Sequence, residues 1–134
     1  MRSAMKNFRQ LPTIWWSLRT ARAQLRRSLA HGLELHPLAR CGQALDDDQA
    51  RTLAQTVFAI GRRMRGCACL PQSIALANLL RDRGVSASVV LGASKAQGRF
   101  AAHAWVESPL GRFDPDPAAP GRFTALGRFS GDGR

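Results

Sequence analysis

The chain has 134 residues and a mass of 14.6 kDa, the size of one domain. Its 45% hydrophobic content is enough for a core without disulfide staples. With 20 Lys+Arg against 9 Asp+Glu, the net charge is +11 and the pI near 11.6, which points toward anionic partners: nucleic acid, an anionic membrane surface or an acidic polypeptide.

Several classes are excluded at this level. No stretch approaches the ~18 consecutive apolar residues of a membrane-spanning helix. Arg9, Arg19 and Arg22 interrupt the N-terminal apolar residues, so no secretory signal pattern is present. Three cysteines, an odd number, do not make a secreted disulfide framework. The expectation is a soluble, cytoplasmic protein. The basic residues are almost all arginine, scattered along the chain and not interleaved with aromatic residues, which describes a solvated basic surface better than a nucleic-acid interface.

Taken in chain order, residues 1 to about 12 are polar and read as a loose terminus. Thr13 then reads as the cap of a helix from Ile14 to about Ala30, with Ile14, Leu18, Leu25 and Leu29 on one face. Trp15 and Trp16 stand at its start, placed to pack on the domain, on a partner, or at a membrane interface beside the arginines. Gly32 to Gly42 is a connector. Asp46-Asp47-Asp48 marks a helix N-terminus, since carboxylates there satisfy free amides and the dipole. The helix it opens carries Ala50, Leu53, Ala54, Val57, Phe58 and Ile60 and ends near Gly61. A third helix spans about Ala68 to Arg83, with Cys69 at or near its N-cap because Pro71 is tolerated only in a first turn. Its apolar residues run almost all round, as in a buried helix, and Gly84 closes it.

The period then changes from helical to alternating. Val85 to Leu91 reads as a strand, Gly92 to Gly98 as a loop, and Phe100 to Glu107 as a second strand. Ser108 to Gly111 is a turn, and Arg112 begins a third strand. From Pro115 onward the chain is a Pro-, Ala- and Gly-rich tail, in which the recurring Gly-Arg-Phe triplets are unevenly spaced and make no repeat. Helices followed by an antiparallel sheet define an α+β fold.

One constellation carries chemistry: Cys69, His103, and Asp114 or Asp116. The free amides and dipole of a helix N-terminus favour a thiolate. An imidazole can take the thiol proton and return it to a leaving amine, and a carboxylate on its far nitrogen fixes the tautomer. If Pro109-Leu110 is a two-residue hairpin tip, His103 lies opposite Asp116 with Asp114 one diagonal step away on the same face, so both carboxylates stay open. Zinc on Cys67, Cys69 and His103 would need a fourth ligand, and Cys41 sits in a plain connector. No glycine-rich phosphate loop follows a strand.

The segment Cys69-Leu70-Pro71-Gln72-Ser73-Ile74, the exit Arg83-Gly84-Val85 and the strand His103-Ala104-Trp105-Val106-Glu107 resemble the transglutaminase-like superfamily. Within it they look most like the leader peptidases of lasso-peptide biosynthesis. The resemblance covers roughly Arg62 to Phe129, and departs at Gln72, where that family often has a basic residue. It implies a buried helix with the cysteine at its N-terminus packed on a small antiparallel sheet. It divides the chain into an N-terminal helical region, 1–61, and a catalytic core, 62–134, within one compact domain. By the same resemblance Cys69 is the nucleophile, His103 the general base and acid, and Asp114, followed by Pro115, the third member. No cofactor or metal is implied. Residues 1–60 lack a three-stranded sheet, so the winged-helix leader-recognition domain of fused relatives is expected to be absent. The implied partners are a precursor peptide, a separate leader-recognition protein, which Trp15 and Trp16 could dock, and a macrolactam cyclase. Nucleic acid is not among them. The rival readings are amide transfer on the same fold and a non-catalytic basic binding protein.

Overall fold

A computed structural model describes residues 11–23, 35–39, 45–66, 68–96 and 98–130. Among these, three helices precede four strands: α1 (residues 11–23), α2 (Asp47–Arg63), α3 (Cys69–Asp82), β1 (Ser88–Ala96), β2 (Arg99–Ser108), β3 (Gly111–Phe113) and β4 (Thr124–Phe129). The strands form one antiparallel sheet in the order β3-β2-β1-β4. The helices pack on this sheet, giving the α+β architecture expected from the change of period.

Each helix has a local cause. In α2, Asp46 accepts a hydrogen bond from the Gln49 amide at 2.7 Å while the Gln49 side chain accepts from the Asp46 amide at 3.1 Å, a capping box. Ala50, Leu53, Ala54, Val57 and Phe58 then bury one face. The helix runs past Gly61 to Arg63. Gly61 is an interior crossing point, because a Cβ there would lie 2.5 Å from Gln72 Cγ of α3. In α1, residues 11–13 are already helical, so Thr13 lies inside the helix and does not cap it. Ile14, Leu18 and Ala21 are buried, whereas Leu25 and Leu29 lie outside the described residues. Of the connector expected from Gly32 to Gly42, residues 35–39 are among those described.

Helix α3 is the central one: every residue from Pro71 to Arg81 is buried. Its apolar residues were expected to be buried; its polar ones were not. Asn78 accepts from the His36 amide at 2.8 Å, and the buried Arg81 donates to the His36 carbonyl at 2.6 Å and the Ala87 carbonyl at 3.1 Å. These bonds fasten the segment at residues 35–39 and the entry to β1 onto the helix, which is how a cation becomes tolerable inside.

The sheet departs from the expected pattern in two places. β1 begins later, at Ser88, and continues through the stretch read as a loop, to Ala96. Pairing decides this: Gly92, Ala93 and Ser94 have little strand preference, but each is paired with β2 on one side, and Gly92 and Ala93 also with β4 on the other. Gly92 is required for a further reason. A Cβ there would sit 2.6 Å from Trp105 Cη2 and Cζ3 and 3.1 Å from Phe123 Cβ. Gly92→Ala is therefore expected to lower stability by about 1–3 kcal/mol through overpacking against a rigid ring, as read by denaturant unfolding. The second departure is β4, which forms in the region read as a Pro-, Ala- and Gly-rich tail with no strand assigned to it and pairs with β1 through a register shift at Leu91/Gly92.

Candidate active site

The hairpin between β2 and β3 places the first two site residues. Ser108 pairs with Gly111, Glu107 with Arg112 and Val106 with Phe113, the register expected for a Pro109-Leu110 tip. Ladder pairing stops at Phe113, so His103 has no strand partner on that side and Asp116 is not opposite it. The chain turns instead at Asp114. Asp114 Oδ1 lies 2.6 Å from His103 Nε2, and both side chains are nearly buried, at 5% and 10% exposure.

Asp114 is held from three directions. Oδ1 also accepts from the Asp116 amide at 2.8 Å, and Oδ2 accepts from Arg112 Nη2 at 3.0 Å. Asp116 serves the turn itself, its Oδ1 accepting from the Ala118 amide at 2.9 Å. Of the two carboxylates left open by the sequence, Asp114 is the one that bonds the imidazole.

The ring is positioned as well as bonded. Alternation along β2 sends Ala104 and Val106 into the core shared with the helices, and His103 and Trp105 to the other side of the strand. There the His103 ring stacks on Trp105 at 6.1 Å and meets Phe123 at 4.9 Å. Trp105 is fixed in turn by its Nε1–H to Glu107 at 3.1 Å, by Arg112 over its face at 4.2 Å, and by an ion pair between Glu107 and Arg128. The packing by Phe123 was not visible in the sequence, because the segment containing it has no periodic pattern. The Arg112–Asp114 bond, between residues two apart at a strand end, was open to discovery from the charge pair alone.

Cys69 stands on a different element. It is the first residue of α3, with Ala68 in the extended N-cap position, and its thiol is free and partly buried. An amide in the first turn of a helix has no acceptor within the helix. α3 packs against β2, the strand that carries His103. The His103 ring, however, lies on the other side of that strand, and among the described residues no hydrogen bond joins it to Cys69. The structure thus brings His103 and Asp114 together and leaves Cys69 apart from them. Cys41 and Cys67 lie outside the described residues. Among the described residues no group of three His, Cys, Asp or Glu side chains is arranged to hold a metal ion, and no helix is long and apolar enough to cross a membrane.

Comparison with curated proteins and with solved structures found no match. Comparison with family models did: residues 14–128 match the model described as the Transglutaminase-like superfamily. The match takes in α1 and α2 as well as the segment beginning at Arg62. Residues 14–128 take in the helix that opens on Cys69 and the strand that bears His103, and the chain belongs to the transglutaminase-like superfamily.

Proposed function

We propose that this protein is a cysteine peptidase that removes the leader peptide from a ribosomally made lasso-peptide precursor through an acyl-enzyme on Cys69. The observation that carries the reading is the 2.6 Å bond between His103 Nε2 and Asp114. A carboxylate accepting from Nε2–H leaves Nδ1 as the basic nitrogen, and a base with an orienting third group is what a thiol nucleophile requires. The narrower assignment to leader removal rests on the resemblance of the Cys69 and His103 segments.

In this mechanism His103 Nδ1 takes the Cys69 proton and the thiolate attacks the scissile carbonyl, forming a C–S bond. The Cys69 amide, free at the helix start, donates to the oxyanion. Collapse breaks the C–N bond, and the imidazolium protonates the amine of the departing core peptide. A water deprotonated by His103 then hydrolyses the thioester, releasing the leader as an acid and restoring the thiol. An amine in place of that water gives amide transfer, a reading that superfamily membership keeps alongside hydrolysis. The two are separated by product mass. A separate leader-recognition protein and a macrolactam cyclase complete the proposed system. Trp15 and Trp16, 42% and 61% exposed with Arg19 stacked on Trp15, suit the docking of such a partner. A reducing, cytoplasmic setting suits a thiol nucleophile.

The test is iodoacetamide labelling with the modified sites mapped by mass spectrometry. Cys69 is expected to label faster than Cys41 and Cys67, and His103→Ala to remove that advantage. Equal labelling of Cys69 in both proteins overturns the activated thiol.

A further inference from the structure

β3 is an edge strand: β2 pairs with it on one side and no described strand lies on the other. Ser108 and Gly111 close a two-residue hairpin, so alternation turns the main-chain N–H and C=O of Arg112 outward, away from β2. An unpaired edge of this kind is a template for an added strand. The edge lines a cleft of ≈ 360 Å³ to which α2 contributes Arg51 and Phe58 and in which Asp114 is also a lining residue. Its lining is apolar at Phe58, Leu110 and Phe113, with Arg51 of α2 exposed and no carboxylate among the described residues paired with it. Asp114, the acidic group in the cleft, has a side chain only 5% exposed and is already bonded to Arg112 and His103.

We infer that this cleft binds an extended segment of the peptide substrate as a strand beside β3, apolar side chains toward Phe58 and Phe113 and an acidic side chain on Arg51. The inference rests on the peptidase reading and names the substrate segment that reading leaves open. Charge supports the choice of occupant: an uncommitted arginine over an apolar floor, in a chain of net charge +11, favours an acidic–apolar peptide over a basic one. The position supports it too, because a strand added at β3 runs directly past the carboxylate that orients His103.

The test uses the full chain carrying Cys69→Ala, so that nothing is turned over, and a fluorescein-labelled peptide of alternating Glu and Leu as the probe. Fluorescence anisotropy is expected to saturate. Arg51→Glu is expected to weaken binding about five- to tenfold and Arg51→Gln by less, while Arg99→Glu, the same charge change at the exposed start of β2 and outside the cleft, leaves it near the parent value. Amide exchange at residues 110–113 is expected to slow when the probe is bound. Equal losses in Arg51→Glu and Arg99→Glu, or unchanged exchange at β3, overturn the cleft and reduce the interaction to net charge. The readout does not involve the thiol. Probe binding with an unactivated Cys69 would retain the cleft and remove the peptidase, whereas an activated Cys69 without Arg51-dependent binding would do the reverse.

Discussion

Cys69→Ala is expected to lower cleavage of the peptide substrate by on the order of 10³-fold or more, with the fold unchanged. Among the described residues Cys69 is the free cysteine, placed at the start of α3, and in the proposed mechanism the acyl intermediate forms on it. The stability cost is small because its side chain is only partly buried and Ala keeps the helix. The measurement is single-turnover cleavage followed by mass spectrometry, with circular dichroism to check folding. In the wild type a covalent adduct of the leader on Cys69 should accumulate when the thioester is trapped by acid quench, and it should be missing from the variant. Cleavage persisting near the wild-type rate in Cys69→Ala would remove the thiol from the mechanism.

Asp114→Asn should reduce kcat by about 10²–10⁴-fold with a much smaller change in KM. The amide keeps the carboxylate's size, but it presents an N–H as well as an oxygen and so can turn the imidazole to the wrong tautomer. It also weakens the charge-assisted bonds from His103 and Arg112. Asp116→Ala is the informative comparison. Asp116 lies two residues away, and its side chain caps the turn through the Ala118 amide without touching the ring. That variant should lose about 1 kcal/mol of stability or less and retain its rate. Equal loss of rate in the two variants would mean that turn geometry, not the carboxylate on Nε2, supports the chemistry.

These two carboxylates mark the boundary between what local sequence determines and what it does not. The hairpin register was legible, because Pro109-Leu110 between Ser108 and Gly111 is a strong local signal and side-chain alternation follows from it. Extending that register to Asp114 and Asp116 failed, because the ladder ends at Phe113 and the next residues form a turn stabilised by their own side chains. Where a strand stops depends on what packs beside it, and here Phe123, from a segment with no readable pattern, covers His103.

By itself the sequence determined α2, whose cap and amphipathic period are local. It also determined the buried character of α3, the placement of Cys69 at that helix's start, and the presence of a histidine strand with acidic residues just after it. Tertiary structure alone decided the rest. β1 runs through Gly92 to Ala96 because neighbouring strands supply hydrogen bonds that its side chains do not favour. β4 forms because β1 has a free edge for it. Gly61 is interior to a helix because Gln72 occupies the space of its missing side chain. Arg81 is buried because carbonyls of residues 36 and 87, distant from it along the chain or beyond a turn, converge on its guanidinium. In each case the deciding partner lies outside the segment, where neither period nor propensity can register it.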